Sequence, residues 1–486
     1  MTPTLIFIIF LCYTALLFVI TGITSRKATN QAFFIGNKES PWPVVAYGMI
    51  GASLSGVTFM SIPGWVGDTQ FSYMMVVFGY LFGYFIIATV LMPLYYRLNL
   101  TSIYTYLEGR FGFWSYKTGA FYFILSRVIG ASFRMFLVVN VLQIFVFDAW
   151  GIPFIATTSI FIVLILLYTF KGGIKTIIWT DMLQTTFMLG ALAVTIHLIT
   201  RELGLDFRQM FNSVWESDYS KMVFFEWQDR KYYLKQLLSG AFIAVVMTGL
   251  DQDMMQKNLS CRSLRDAQKN MFSFSVILIF VNFLFLFLGA SLFIFANTKG
   301  ITLPVRSDDI FPTLAIHYLG PLAGITFVIG IISAAYTSAD GALTALTTSF
   351  SIDILGMNKN NRLDEKRKEK TRYAVHLSFA FVLLVVIVVF RAINDEAVID
   401  KLFTIAGYTY GPLLGLYAFG LFTRWEVKDR WVPMVALISP VICYFLSIYD
   451  EMLLNGYNFG FELLIINGIF TFLGLYFLRR KKLNLI

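Results

Sequence analysis

The chain has 486 residues, of which 57% are hydrophobic and 14% charged, and its mean hydropathy is +0.70. A soluble core has no use for 50 phenylalanines, so this composition excludes an ordinary soluble globular protein and predicts a polytopic membrane protein. The net charge of +9 requires no nucleic-acid partner, because basic residues on cytoplasmic loops face anionic lipid headgroups.

Thirteen apolar stretches are long enough to cross the roughly 30 Å hydrocarbon core as helices of about 20 residues. They lie at 4–23, 41–65, 72–96, 116–147, 152–170, 177–200, 236–256, 270–297, 321–355, 372–391, 400–421, 431–448 and 459–478. The first stretch lacks a preceding positive region, so we interpret it as a retained helix and not as a secretory signal. We therefore predict an all-α protein that crosses the membrane about thirteen times.

Lysine and arginine are concentrated in alternate loops, including seven between Lys359 and Arg372 and four in the tail that begins at Arg479. Because such residues are retained on the cytoplasmic side, the pattern predicts an outside N-terminus and a cytoplasmic C-terminus in the cell inner (plasma) membrane. Lys257 is counted here with a cytoplasmic loop. Apart from lysines and arginines within one residue of the end of a stretch, only Arg127 and Arg134 lie inside the apolar stretches.

Residues suited to enzymatic chemistry are sparse and scattered. The three cysteines and three histidines are far apart in the sequence, and there is no phosphate-binding glycine loop. An enzyme is therefore disfavoured, and function is expected where polar residues interrupt the apolar stretches.

The second stretch is the first such place, because Gly48–Gly64 reads GMIGASLSGVTFMSIPG. Glycines, a proline and four hydroxyl side chains favour an unwound helix whose freed carbonyls face a cavity and coordinate a cation. Close helix packing through small residues is the alternative.

The ninth stretch contains Ala334, Thr337 and Ser338, whose i, i+3 and i+4 spacing places them on one helical face. Their oxygens, together with carbonyls from the broken second stretch, would give about five oxygen ligands, which suit sodium better than a transition metal. Alternatively, the two hydroxyls bond back to carbonyls of their own helix.

Several segments together resemble the sodium:solute symporter family. They read SRKATNQAFFIGNKES, GASLSGVTFMSIPG, GGIKTIIWTDMLQ, GLDQDMMQKNLSCRSLRDAQK and SAAYTSADGALTALTTSFSIDI. The resemblance implies a leucine-transporter-type fold with two inverted five-helix repeats. The expected divisions are a leading helix and cytoplasmic loop (1–40), the first repeat (41–200), an extracytoplasmic loop (201–235), the second repeat (236–421), and accessory helices with a basic tail (422–486).

The resemblance also implies a sodium site. Its ligands would be the carbonyls of Gly51, Leu54 and Ala334 and the hydroxyls of Thr337 and Ser338. Asp181 matches an acidic position that supports sodium binding in the family and in some members belongs to a second sodium site. A buried carboxylate is costly when unpaired, so a cation or hydroxyl donors are expected beside it; a purely structural role is the alternative.

Four other acidic residues lie close to the polar segments. Asp251, Asp253 and Asp353 are expected to be solvated near the cytoplasmic ends of their helices. Asp340 falls near the middle of its helix and could line the inner vestibule.

Arg134 is the principal clue to the substrate. It resembles the arginine with which sialic-acid-transporting members hold a carboxylate, and Ser55 and Thr58 match the hydroxyls that accompany it. A guanidinium is well shaped for bidentate carboxylate binding, although Arg134 could instead snorkel or pair with an acid. Arg127 is expected to snorkel or to pair with an acid.

The expected function is sodium-coupled import of a small polar solute, with a carboxylate such as sialic acid favoured, and sodium as the coupling ion. A neutral sugar is less well supported, because the stretches corresponding to the sugar-binding segments read SGVTF and AVVMTGLD. A membrane sensor or channel is the alternative from another class. The expected partners are the solute, Na⁺ and the bilayer.

Overall fold

The protein is seen in a computed structural model that describes residues 2–24, 38–357, 364–393 and 398–480, without the side chains of 24, 170–172 and 175. Much of the first family-like segment, 25–37, and part of the basic segment that begins at residue 359 lie outside the described residues. The described helices are α1 Pro3–Thr24, α2 Trp42–Ser53, α3 Gly56–Thr69, α4 Tyr73–Arg97, α5 Thr105–Arg110, α6 Phe113–Trp150, α7 Phe154–Glu202, α8 Phe207–Trp215, α9 Tyr233–Gly249, α10 Gln252–Leu259, α11 Leu264–Lys299, α12 Ile310–His317, α13 Gly320–Ile354, α14 Glu365–Ile393, α15 Val398–Phe422, α16 Val432–Ile448, α17 Asp450–Leu453 and α18 Leu463–Phe477.

Local irregularities interrupt several of these helices. The bounds of α4, α6, α9 and α13 include π turns at Ile87–Leu91, Gln143–Phe147, Val245–Gly249 and Phe350–Ile354. Helix α7 has non-helical backbone angles at Gly173 (φ 54°, ψ −156°), which divide it into Phe154–Thr169 and Thr176–Glu202.

Each of the thirteen predicted stretches coincides with a helix, with a pair of helices or, for 152–170 and 177–200, with one of the two parts of α7. Among the described residues, eight helices are long and apolar enough to cross a membrane, and two bent pairs, α2 with α3 and α9 with α10, raise that number to ten. Phe154–Thr169 and α18 are shorter apolar helices. The figure of thirteen crossings, and the division into repeats, stay predictions.

Large apolar side chains cover the outside of the helix bundle. Phe82 on α4, Phe121 on α6 and Leu437 on α16 are 60%, 56% and 63% exposed. In water such exposure would be costly, whereas hydrocarbon solvates it freely, so these surfaces fit a lipid environment.

Helix α13 lies at the centre of the molecule. Every residue from Gly330 to Ser349 is buried, and α13 packs most extensively against α7. Helices α4 and α9 also cross closely, because Gly240 carries no β-carbon; a β-carbon there would lie 2.0 Å from the carbonyl oxygen of Val76. Small residues thus bring these helix backbones together.

The segment after α15 is bound to the start of α6. The carboxylate of Asp429 accepts hydrogen bonds of 2.8 Å from the amides of both Trp114 and Ser115. Arg110 donates to the carbonyls of Gly420 and Thr423 at 3.1 and 2.8 Å. Two short antiparallel strands, β1 Glu426–Val427 and β2 Arg479–Arg480, join this segment to the end of α18.

Candidate functional site

The second predicted span is broken in the middle, as expected. Helix α2 ends at Ser53, Leu54 and Ser55 have extended or irregular backbone angles, and α3 begins at Gly56 with a bend of 54°. The amide of Ser55 donates to the carbonyl of Ser53 (3.1 Å) and not to that of Gly51, as it would in an unbroken helix. The Gly51 carbonyl is therefore freed from its usual helical partner.

The seventh predicted span is also broken, but its second half is capped differently. Helices α9 and α10 meet at a 65° bend, and the Asp251 carboxylate accepts hydrogen bonds from the amides of Asp253 and Met254 (3.0 and 3.2 Å). Ser55, in contrast, makes no side-chain cap bond to α3. The first amides of α3 are therefore available to an anion, whereas α10 is already capped by a carboxylate.

A cavity of about 80 Å³ lies between the two breaks, and we call it the broken-helix cavity. Its polar lining includes Ser55, Thr58, Tyr80, Arg127, Arg134, Thr248 and Asn282. The structure thus brings together the three residues that the sequence assigned to the substrate, Ser55, Thr58 and Arg134.

The two arginines of this cavity differ in their surroundings. Arg127 pairs closely with Asp253 and lies 3.6 Å from Asp251, so its expected pairing with an acid is confirmed. Among the described residues, no carboxylate lies within 4 Å of Arg134, and its buried Nε has no hydrogen-bond partner. Arg134 is therefore the guanidinium with capacity to bind an anion.

Asp251 and Asp253 belong to a buried ionic cluster, so the expectation that they are solvated was wrong. Their exposed fractions are 0% and 2%. Lys257, predicted to lie in a cytoplasmic loop, is 1% exposed and lies 2.9 Å from Asp181 and 3.5 Å from Asp253. The opposite charges of α6, α7 and α10 compensate one another, which permits their removal from water.

Asp353 is also buried, contrary to expectation, because hydrogen bonds replace water around it. Its carboxylate accepts hydrogen bonds from the hydroxyls of Tyr116 (2.9 Å) and Ser349 (2.6 Å). Asp340 is equally buried and accepts from the Tyr168 hydroxyl and the Gly341 amide, both at 2.6 Å.

The hydroxyls predicted to bind sodium contact carbonyls of their own helix, and one of them also contacts a side chain of α7. Thr337 Oγ1 lies 2.8 Å from both Gln184 Oε1 and the Ser333 carbonyl, and Ser338 donates to the Ala334 carbonyl at 3.0 Å. The alternative of bonding back to the same helix is therefore realised. A hydroxyl that donates its one proton keeps lone pairs for a cation, so the two roles are compatible.

Helix α7 connects the broken span to α13. A β-carbon on Gly51 would lie 2.2 Å from Thr185 Oγ1, and the neighbouring Gln184 contacts Thr337. Sequence reasoning did not select Gln184, although it closes the family-like segment GGIKTIIWTDMLQ. Its buried Nε2 lacks a hydrogen-bond partner among the described residues.

A second cavity, of about 300 Å³, lies among the residues before α9, the start of α15 and the segment between α17 and α18. We call it the loop cavity; its charged lining includes Asp68, Arg230, Asp400 and Glu462. Phe403 borders both cavities, with its ring 4.7 Å from that of Phe461 and 6.4 Å from that of Tyr73. An aromatic layer therefore separates the two spaces.

Solved structures resemble this fold. A structure described as the substrate-bound outward-open state of a Na⁺-coupled sialic acid symporter superposes with a TM-score of 0.83, at 19% identity, over 97% of each chain. Mhp1, a nucleobase-cation-symport-1 family transporter in a closed conformation, superposes with a TM-score of 0.52, at 12% identity, over 92% of each chain. The chain has the leucine-transporter-type fold.

Curated relatives are transporters. The sodium/sialic acid symporter SiaT of Proteus mirabilis is 24% identical over 92% of this chain and 89% of its own length. Sodium-coupled monocarboxylate transporter 1 of Mus musculus is 25% identical over 81% of this chain and 64% of its own length. The model of the sodium:solute symporter family matches residues 33–426. The chain therefore belongs to the sodium:solute symporter family and is a multi-pass membrane protein with sodium as its coupling ion.

Proposed function

We propose that this protein is a symporter, and not an enzyme, that uses sodium to import a small carboxylate-bearing solute, which Arg134 holds. The observation that carries this proposal is the guanidinium of Arg134 in the broken-helix cavity, with no carboxylate within 4 Å among the described residues. A half-buried cation without a counter-charge is unfavourable, and a substrate carboxylate would supply both the charge and bidentate hydrogen bonds.

The uncapped start of α3 supports the same substrate class. Its first amides and the positive end of its dipole lie at the break that lines the cavity, beside Ser55 and Thr58. The Arg134 carbonyl would lie 3.2 Å from a β-carbon on Gly56, so α6 approaches α3 at this point. Arg127 adds little free positive charge, because Asp253 and Asp251 compensate it.

The size of the cavity bears on which carboxylate is bound. Its volume of about 80 Å³ is well below the roughly 300–1,000 Å³ of pockets for drug-sized ligands. A short monocarboxylate therefore fits this conformation better than a sugar acid. Both remain candidates, since relatives are named for sialic acid and for monocarboxylates.

Sodium would bind between the broken second span and α13. The proposed ligands are the carbonyls of Gly51, Leu54 and Ala334 and the hydroxyls of Thr337 and Ser338. Support comes from the freed Gly51 carbonyl and from Gln184 and Thr185, which contact the two segments from adjacent positions. Sodium binding would stabilise one conformation of the broken span and so favour solute binding at the neighbouring Ser55 and Thr58.

The membrane arrangement forms part of the proposal. The basic loops support an outside N-terminus and a cytoplasmic C-terminus in the plasma membrane. The bent pairs α2 with α3 and α9 with α10 begin the proposed repeats 41–200 and 236–421, which supports the inverted-repeat division.

Uptake into proteoliposomes tests the function. The panel should contain short monocarboxylates, sialic acid, neutral hexoses and amino acids, each with and without an inward sodium gradient. We expect sodium-dependent uptake of a carboxylate. Sodium-dependent uptake of a neutral sugar would contradict the carboxylate proposal, and flux that no sodium gradient drives would favour a channel.

A further inference from the structure

The carboxylate of Asp181 already has a cationic partner that is part of the chain. Lys257 Nζ lies 2.9 Å from Asp181 Oδ2, and both side chains are 1% exposed. Asp181 is on α7, whereas Lys257 is on α10, the second half of the broken seventh span. The pair therefore joins two separate elements in an environment without water.

Lys257 supplies positive charge to a group of buried carboxylates. Lys257 Nζ also lies 3.5 Å from Asp253 Oδ1. A β-carbon on Gly341 would lie 2.6 Å from Asp253 Oδ1, so Asp253 is pressed against α13 beside Asp340. Among the described residues, Lys257 is the basic residue within 4 Å of Asp181, and Asp340 has no basic residue within 4 Å.

Asp181 is also next to the proposed sodium site. Gln184 and Thr185 follow it by three and four residues on the same face of α7, and they contact Thr337 and Gly51 respectively. A β-carbon on Gly48 of α2 would lie 3.1 Å from Asp181 Cβ, which places α2 against this carboxylate as well. A metal cation at Asp181 would thus be a second ion close to the first.

We infer that the ammonium group of Lys257 takes the place of a metal cation at Asp181, so that the protein binds one sodium ion, at the site with Thr337 and Ser338. This inference rests on the proposed function for the position of that one ion. A second sodium ion at Asp181 would meet a like charge at ion-pair distance in a buried site, which opposes its binding. Because the ammonium is covalently attached, it holds α10 to α7 at every sodium concentration.

One consequence is electrical. A solute with one negative charge that enters with one sodium ion carries no net charge across the membrane. Uptake of a monocarboxylate should therefore be insensitive to a potassium diffusion potential imposed with valinomycin.

Equilibrium binding of radioactive sodium to purified protein, without solute, tests the inference. We expect one bound ion per molecule in the wild type, two in Lys257→Gln, and one in the double variant Asp181→Asn/Lys257→Gln, which removes both charges. Lys257→Arg keeps the cation and should bind one. In uptake assays the Hill coefficient for sodium should rise from about 1 to about 2 in Lys257→Gln alone, by the two-site limit of cooperative binding.

Two results would overturn the inference: two ions bound to the wild type with one lost in Asp181→Asn, or one ion bound to folded Lys257→Gln. If Lys257→Gln does not fold, the wild type and the charge-free double variant decide, since one ion bound to each supports the tethered cation and two ions bound to the wild type contradict it. The Thr337→Ala variant separates the two proposals. If it retains the single sodium ion with wild-type affinity, the proposed sodium ligands are wrong, whereas the Lys257 comparison concerns only the number of ions.

Discussion

Gly51 and Thr185 pack so closely that a β-carbon on Gly51 would lie 2.2 Å from Thr185 Oγ1. No side chain fits between α2 and α7 at this point, so the broken span rests directly on the helix that carries Asp181 and Gln184. The freed carbonyl of Gly51 belongs to the same residue, which means that packing and the proposed sodium ligation share one position.

We expect Gly51→Ala to destabilise the protein by about 1–3 kcal/mol, the usual cost of overpacking, and to weaken sodium activation. Thr185→Ala removes the colliding oxygen, so Gly51→Ala/Thr185→Ala should recover part of both losses. Thermal unfolding in detergent and the half-saturating sodium concentration measure them. A double variant no better than Gly51→Ala would show that the collision is not the cause.

Thr337→Ala and Ser338→Ala should each raise the half-saturating sodium concentration roughly 10- to 100-fold. This range follows from about 1.5–3 kcal/mol for a polar contact to a charge. Ser291→Ala is the matched control, because Ser291 is buried and donates to the Phe287 carbonyl of its own helix, as Ser338 donates to Ala334. Equal sodium dependence in all three variants would contradict the proposed ligands.

Arg134→Ala should abolish solute binding, at a cost of about 2–5 kcal/mol, because the substrate anion would be desolvated without a partner. Arg134→Lys should recover only part of the affinity, since an ammonium keeps the charge but loses the bidentate geometry. Calorimetric titration with solute in saturating sodium measures both. Normal affinity in Arg134→Ala would assign this arginine to the scaffold.

Arg127→Ala should act on stability more than on the solute. Removing this guanidinium leaves Asp253 and Asp251 without one of their buried counter-charges, and breaking such a pair costs about 3–5 kcal/mol. The unfolding temperature should fall sharply, and Arg127→Ala/Asp253→Asn should recover part of the loss. A stable Arg127→Ala protein that binds no solute would give Arg127 the role proposed for Arg134.

Phe403→Ala should speed the release of bound solute toward the loop cavity, because its ring borders both cavities and packs on Phe461. Dissociation of labelled solute in constant sodium measures the effect. Phe477→Ala is the control, since that ring is 81% exposed on the surface of α18. An unchanged dissociation rate would exclude Phe403 as a barrier on this path.

The break at Leu54 and Ser55 could be predicted because glycines and hydroxyls at membrane depth are costly unless the helix opens there. The buried ionic cluster that contains Asp251, Asp253 and Lys257 could not be predicted from the sequence. Helix α10 reads QDMMQKNL, whose hydropathy is that of a loop in water, and hydropathy does not distinguish charges solvated by water from charges that compensate one another inside a protein. For the same reason Asp251, Asp253 and Lys257 were assigned to solvent.

The contact between Asp429 and the start of α6 attaches the C-terminal part of the chain to a helix of the proposed first repeat. Asp429 is contributed by the segment that follows α15, beyond the last helix of the proposed second repeat, yet it satisfies the amides of Trp114 and Ser115 in the first. A chain cut short after α15 would leave these amides exposed and the helix dipole of α6 uncompensated. Fluorescent reporters and affinity tags should therefore be attached after β2, where they leave the hydrogen bonds between Asp429 and the start of α6 intact.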